Sequence, residues 1–240
     1  MMFDKKEALH LLATILILSI VFGWNDGQPT FIANTWILNF LKIIFIVSIA
    51  VLAHELSHKL TARKFDANST YHLLTIKHLI FKKELKKPLP LYSLIALFLA
   101  LTSKGKLFFT GIGGNTITST ERQRTGRKYP LVSGYEQALI LLSGPLANVF
   151  LVLLASVLEK SLSTEFPTFI SVNLLLALWY MIPLPGFDGN GILFGSRFVY
   201  VFGLSFILSA FLLKFLSLPL TLGLSLLIAG ISTLLYYWKD

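Results

Sequence analysis

The chain has no cysteine, and only 14% of its 240 residues are charged. The absence of cysteine excludes disulfide bonds, thiolate zinc sites and a cysteine nucleophile. The low charge accompanies 55% hydrophobic residues and a mean hydropathy of +0.72, a composition typical of membrane proteins and not of soluble domains. Internal repeats, linkers and low-complexity tracts are also missing from the sequence. We therefore expect residues 1–240 to form a single integral membrane domain.

Acidic residues are few as well, since 12 Asp and Glu stand against 21 Lys and Arg and the net charge is +9. A basic chain could bind nucleic acid, but here the positive residues flank apolar runs, where they set the orientation in the membrane and meet anionic lipid head groups. We predict contact with membrane lipids and none with nucleic acid. The positive residues that predict the inner side of the membrane are Arg63, Lys64, Lys82, Lys83, Lys86, Lys87, Lys104, Arg122, Arg124, Arg127 and Lys128.

The apolar runs predict an all-α, multi-pass membrane protein with about six transmembrane helices, because about 20 helical residues cross a bilayer core. The last run has about 41 residues, too many for one crossing, and we divide it near Pro219. The predicted spans are 8–24, 36–60, 137–158, 168–182, 198–216 and 220–238.

Two kinds of shorter segment complete the predicted fold. The apolar stretch 91–101 is too short to cross a bilayer, and we predict a re-entrant or interfacial segment there. The composition of 69–81 and 107–119 is compatible with short strands, which would form a small β-sheet on the inner side. The polar segment 25–29 has no positive charge and is expected to face outward.

One apolar span carries the pattern His54-Glu55-Leu56-Ser57-His58. On a helix, residues four apart lie on one face, so both imidazoles can reach one tetrahedral zinc ion while Glu55 stands beside the open coordination position. The preceding stretch 43–53 is apolar except for Ser48, and ionisable groups in such a stretch are costly unless they function. A chance pair of histidines is the alternative. We favour a hydrolytic metal site inside the membrane.

A catalytic zinc site usually has three protein ligands and one water molecule, so His54 and His58 need a third partner. Asp188 follows an apolar span through a stretch broken by proline and glycine, which can bend the chain toward a neighbour. An Asp-Gly turn at a helix end is the alternative interpretation of this residue. The remaining histidines are lone residues away from the motif, and we expect them to be surface residues and not ligands: His10, His72 and His78.

Asp188 can be a ligand only if it lies on the same side of the membrane as His54 and His58. If 91–101 crossed the membrane, Asp188 would emerge on the far side. If that stretch enters and returns, the next two spans bring Asp188 to the inner side. The basic segments before and after 91–101 favour the second topology independently. We therefore predict His54, His58 and Asp188 as metal ligands.

These residues resemble the site-2 protease family, the intramembrane zinc metalloproteases. Residues 54–58 match the HExxH motif of the family. Residues 143–148, Ser-Gly-Pro-Leu-Ala-Asn, are similar to its (A/S)-G-P-x-x-N segment, and 183–189 are similar to its Pro-rich segment ending in Asp-Gly. The chain departs from the family at Tyr180, where members often have Asn, and at Phe187, where they often have Leu.

The resemblance implies one Zn²⁺ per chain, held by His54, His58 and Asp188, with Glu55 as the catalytic glutamate. It also implies that Asn148 positions substrate or stabilises the oxyanion. Substrate-binding residues are not identified from the sequence. The catalytic core would be residues 36–190, and the peripheral helices would be 8–24, 198–216 and 220–238.

We expect an intramembrane zinc metalloprotease that hydrolyses peptide bonds in transmembrane segments of membrane-protein substrates, in the cell membrane with its active site toward the cytoplasmic side. A substrate helix must unwind before attack, and pairing with a strand edge in 71–81 or 107–119 would replace the lost hydrogen bonds. Two alternatives stay open: a non-catalytic relative that binds membrane helices, and a metal-ion transporter that uses the same His and Asp residues as a cation site.

Overall fold

The computed structural model describes residues 3–78, 84–120, 131–164, 166–214 and 216–238. The helices in these residues are α1 (Lys5–Gly23), α2 (Ala33–Lys64), α3 (Leu91–Thr102), α4 (Gly134–Leu162), α5 (Pro167–Tyr180), α6 (Asp188–Gly195), α7 (Arg197–Ala210) and α8 (Leu218–Trp238). The strands are β1 (Ala67–Leu73), β2 (Ile76–His78), β3 (Glu84–Leu89) and β4 (Gly113–Ser119). Six of the predicted inner basic residues lie outside the described residues: Lys82, Lys83, Arg122, Arg124, Arg127 and Lys128.

Four helices in the described part of the chain are long and apolar enough to cross a membrane: α1, α2, α4 and α8. They coincide with the predicted spans 8–24, 36–60, 137–158 and 220–238. Helices α5 and α7 have 14 residues each, about 21 Å of helix, which is less than the roughly 30 Å of a bilayer core. The prediction of about six spans is therefore not confirmed. The predicted break near Pro219 is confirmed, because α8 begins at Leu218 after a 3-10 turn, Phe211–Lys214.

Helices α2 and α4 pack against each other at the centre of the fold. Helix α4 begins at a capping box, in which Ser133 and Glu136 satisfy each other's backbone N–H groups. Small side chains let α2 and α4 approach closely, and Ser57 Oγ on α2 donates a hydrogen bond to the Ser143 carbonyl on α4 at 2.9 Å. This contact fixes the position of α4 along the axis of α2, next to the HExxH motif.

Helix α3 and the segment after it form a hairpin beside α1. The helix starts next to the loop that precedes α6 and ends beside the far end of α1, where the Asn25 amide donates to the Lys104 carbonyl at 3.2 Å. The chain then returns through residues 105–112, which have no regular secondary structure, and the Ile112 carbonyl accepts from the Leu74 N–H at 3.0 Å, directly after β1. This path agrees with a re-entrant segment at 91–101.

The hairpin corrects the predicted position of Lys104. This residue was grouped with the inner basic residues, but it lies beside Asn25 in the segment predicted to face outward. The 12 residues of α3 cover about 18 Å. The eight residues 105–112 can regain that distance because a non-helical chain reaches up to about 3.3 Å per residue, so the turn lies far from β4.

The strands form two separate antiparallel pairs, β1 with β4 and β2 with β3, which confirms the predicted small β-sheet. In the first pair, the β1–β4 ribbon, Ala67 lies opposite Ser119 and Leu73 lies opposite Gly113. Alternation along the strands places Ser69, Tyr71 and Asn115 on one face of the ribbon, and the buried Ser69 and Tyr71 identify that face as the inner one.

Helices α1 and α2 hold the ribbon in place through buried polar contacts. The Tyr71 hydroxyl is 2.6 Å from Thr14 Oγ1, and the Tyr71 N–H donates to Glu7 Oε1 at 2.9 Å. Glu7 is itself paired with Lys59 Nζ at 2.8 Å, and Lys59 also donates to the Ser69 carbonyl at 2.8 Å. Loss of a partner from a buried carboxylate is strongly destabilising, so these contacts hold the ribbon against both helices.

Candidate metal centre

His54, Glu55 and His58 lie together on α2, as the motif predicts. The two imidazole centroids are 4.7 Å apart and their planes are inclined by 78°. One ligand atom from each of the three residues lies within 4.8 Å of the others, and all three side chains are buried. Among the described residues, this is the one group of three or more His, Asp or Glu side chains in metal-binding proximity.

Asp188 reaches this group from the first turn of α6. Its Oδ2 atom is 3.1 Å from His54 Nε2 and 3.2 Å from His58 Nε2. The chain reverses direction between α5 and α6, and a Cβ on Gly189 would collide with the Met181 carbonyl oxygen, so only glycine permits this close return. The structure thus brings together the three residues predicted as ligands.

The distances in this cluster fit a zinc ion. Bonds of about 2.0–2.1 Å in a tetrahedron place neighbouring ligand atoms about 3.3 Å apart, close to the observed separations between Asp188 Oδ2 and the two Nε2 atoms. His58 Nε2 and Asp188 Oδ1 are buried and have no hydrogen-bond partner among the described residues, which is costly without a cation. Two imidazoles and a carboxylate are also the donor set of many hydrolytic zinc sites.

Gly144 on α4 borders the same space. A Cβ on this residue would lie 2.6 Å from His54 Nε2 and nearer still to His58 Nε2. These separations approach the length of a metal–nitrogen bond, so the missing side chain leaves the volume that a metal ion needs. Gly144 belongs to the Ser-Gly-Pro-Leu-Ala-Asn segment, but no role for it was predicted from the sequence.

Hydrogen bonds to Nδ1 direct the Nε2 atoms of both histidines toward the cluster. His58 Nδ1 is 2.8 Å from the Ile140 carbonyl, which can only accept, so His58 must donate from Nδ1. His54 Nδ1 is 2.6 Å from Asn148 Oδ1. The Asn148 amide donates to the Ala50 carbonyl at 3.1 Å, and this contact fixes which end of the amide faces His54. Both Nε2 lone pairs are therefore available to a metal.

Asn148 makes three hydrogen bonds to neighbouring groups of the protein. Its amide donates to Ala50 and also to Asn173 Oδ1 at 2.9 Å, and its oxygen accepts from His54. All of these partners belong to the protein, and Asn148 is fully buried. The contacts indicate a residue that orients His54, and the substrate-binding or oxyanion role stays a prediction.

Replacing Asn148 with alanine distinguishes these two roles. Loss of the hydrogen bond to His54 Nδ1 should weaken zinc binding by about 10- to 100-fold, the usual effect of removing such a partner. Zinc affinity measured by competition with a chelating dye tests this, with Asn68→Ala on the exposed face of β1 as control. An unchanged affinity combined with slower cleavage would instead favour the oxyanion role.

Tyr180 and Phe187, the two positions that differ from the site-2 protease pattern, are aromatic residues that lie near each other in space at the site. The Tyr180 ring packs on the His54 ring with centroids 4.6 Å apart, and it lies 6.2 Å from the Phe187 ring. Phe187 covers Gly111 so closely that a Cβ there would overlap its ring. The aromatic pair therefore fills the space between His54 and the returning arm of the α3 hairpin.

His10 and His72 do not join the cluster. His10 lies on α1 and His72 lies on β1, with His72 Nδ1 3.5 Å from Thr116 Oγ1. The side chain of His78 is outside the described part of the structure. For His10 and His72 this agrees with the expectation that they are not ligands.

Sequence reasoning missed Asn115 on β4, whose amide donates to Glu55 Oε2 at 3.0 Å. The sequence contains no pattern that predicts this contact, because Asn115 lies 60 positions from Glu55 and belongs to no motif. The inner face of the ribbon lies over the site at this point. His54 and Glu55 are 2% exposed, Asp188 is 1% exposed and His58 is fully buried.

The chain is similar to a curated protein of Methanocaldococcus jannaschii whose name reads "Putative zinc metalloprotease". The two are 27% identical over 204 residues, which cover 82% of this chain and 88% of the relative. No family model matches the chain. No solved structure matches it. The donor set of the site and the name of this relative both agree with the predicted Zn²⁺ cofactor.

Proposed function

We propose that this chain is an intramembrane zinc metalloprotease of the site-2 protease type, which hydrolyses peptide bonds in transmembrane segments of membrane-protein substrates. The observation that carries the proposal is the convergence of His54, His58 and Asp188 around one point, with Glu55 beside it. The similarity to a relative named as a zinc metalloprotease supports the same chemistry.

The position of the cluster on α2 supports cleavage within a membrane. His58 lies six residues before the end of α2 at Lys64, and Glu55 lies nine residues before it, about 14 Å along the axis. The residues between the motif and the far end of α2 are predominantly apolar. The end near the motif carries Lys59, Arg63 and Lys64, which favour the cytoplasmic side of a cell membrane.

His54, His58 and Asp188 would hold the zinc ion. Bound zinc supplies a Lewis acid that polarises the scissile carbonyl and makes water easier to deprotonate. Glu55 is then the base that takes the proton from the attacking water and passes it to the leaving amine. The buried surroundings of Glu55 exclude bulk water from the reacting atoms, which strengthens each of these electrostatic contacts.

The β1–β4 ribbon would bind the substrate. A helical peptide bond is poorly exposed to attack, so the substrate must unwind near the site and replace its lost hydrogen bonds. Within the described residues, β4 has β1 as its one strand neighbour, so the other edge of β4 is available for an added strand. The outer edge of β1 is occupied, because Glu7 accepts from the Tyr71 N–H and Lys59 donates to the Ser69 carbonyl. The ribbon lies close enough to Glu55 for such a strand to pass beside the site.

Glu55→Gln tests the proposed function. The variant should retain about one zinc per chain, since the predicted ligands are unchanged, and cleavage should fall by about 10²- to 10⁴-fold through loss of the base. The assay uses proteoliposomes containing the protein and a set of single-span peptides with central Gly and Asn residues that weaken the helix. New peptide termini are detected by mass spectrometry.

Three outcomes would contradict parts of this proposal. Cleavage by Glu55→Gln at the wild-type rate would show that Glu55 is not the base. Wild-type protein that binds the peptides and zinc but cleaves none of them would indicate the non-catalytic alternative. Accumulation of zinc inside the proteoliposomes, blocked by Asp188→Ala, would indicate a transporter.

A further inference from the structure

The contact between Asn115 and Glu55 joins the ribbon to the proposed base. Asn115 Nδ2 donates to Glu55 Oε2 at 3.0 Å. A carboxylate held through one oxygen keeps the other oxygen in a defined direction. Glu55 would otherwise rotate about its terminal bond, whose torsion has broad energy minima.

Further contacts fix the orientation of the Asn115 amide. Ser69 Oγ donates to Asn115 Oδ1 at 2.8 Å, which leaves the amide nitrogen facing Glu55. The Ser69 carbonyl accepts from Lys59 Nζ, and Lys59 is paired with the buried Glu7. Asn115 is therefore held from β1, which is itself anchored to α1 and α2.

We propose that Asn115 is the positioning residue that orients the Glu55 carboxylate, so that Oε1 is the oxygen that takes the proton from water. This inference rests on the proposed function for its catalytic consequence. It makes the placement of the base depend on the β1–β4 ribbon, the same element that would bind the substrate strand. Substrate binding to the ribbon and proton transfer at Glu55 are then coupled through one side chain.

The expected result is a kinetic effect on the chemical step. Asn115→Ala and Asn115→Leu, which is close to Asn in size and cannot donate to Glu55, should lower kcat by about 10- to 100-fold. The KM for the single-span peptides and the zinc content should stay unchanged. Asn34→Ala is the matched control, because it makes the same change at an exposed position near the start of α2, outside the ribbon.

A double-mutant cycle tests whether Ser69 acts through Asn115. Ser69→Ala should lower kcat by about 3- to 10-fold in the wild-type protein and cause no further loss in Asn115→Ala. An infrared difference spectrum adds a readout that needs no substrate. The carboxyl band that disappears in Glu55→Gln should shift in Asn115→Ala, because its hydrogen-bond donor is removed.

The outcomes separate this proposal from the proposed function. If the wild type cleaves no peptide but the Glu55 band shifts in Asn115→Ala, the protease proposal fails and the orientation of Glu55 by Asn115 stands. If the wild type cleaves and Asn115→Ala has the same kcat and the same band, Asn115 has no positioning role. A rise in KM alone would make Asn115 a substrate-binding residue, and a rise in kcat would make its contact inhibitory. Either result would overturn the proposal.

Discussion

Replacing Gly144 with alanine is expected to abolish zinc binding and cleavage together. The added Cβ would lie 2.6 Å from His54 Nε2 and closer to His58 Nε2, inside the space that a metal must occupy. The protein cannot avoid this conflict by a small rotation, since Gly144 is a buried residue within the helix α4 and both imidazoles are fixed through Nδ1. Zinc content should fall from about one per chain to near zero.

The matched control is Gly223→Ala on α8. It makes the same chemical change within a helix, but a Cβ on Gly223 meets no described atom within 4 Å. Zinc content and cleavage should therefore equal those of the wild type. Zinc is measured by elemental analysis after purification in detergent and repletion, and circular dichroism verifies that Gly144→Ala keeps its helices. A folded Gly144→Ala protein with a full zinc content would show that the metal does not occupy the space beside this residue.

Replacing Asp188 is expected to have the second large effect. Asp188→Ala removes the carboxylate that lies 3.1 and 3.2 Å from the two Nε2 atoms, and two histidines alone do not complete a catalytic zinc site. The loss of zinc affinity should exceed the roughly 10- to 100-fold loss expected for Asn148→Ala, because Asp188 would contact the metal directly. Cleavage should fall to the background level.

Asp188→Asn refines this test because it preserves the size of the side chain and removes its charge. We expect weak residual zinc binding, since a neutral amide oxygen is a poorer ligand than a carboxylate. Asp26→Ala, in the loop after α1, controls for the loss of a carboxylate elsewhere in the chain. Full zinc content in purified Asp188→Ala would mean that the third ligand is another residue.

The sequence by itself determined the mostly helical architecture, with four helices long and apolar enough to cross a membrane, and the identity of the clustered residues. Apolar runs of sufficient length predicted α1, α2, α4 and α8, because burying a continuous apolar surface is a local requirement of the bilayer. The spacing of His54 and His58 predicted that they lie on the same face of α2, because residues four apart are neighbours on any α-helix. Asp188 was predicted as the third ligand from the topology. The number of membrane crossings decides on which side of the membrane each segment lies, and therefore which segments can meet.

Only the tertiary structure decided the contacts made by residues far apart in the chain. Gly144 became part of the site through the close approach of α4 to α2, and Asn115 through the placement of the β1–β4 ribbon over Glu55. The position of Lys104 was mispredicted because charge patterning cannot show how far the non-helical return arm after α3 reaches. These features depend on packing between elements, and no periodicity in the sequence records a contact between positions 55 and 115.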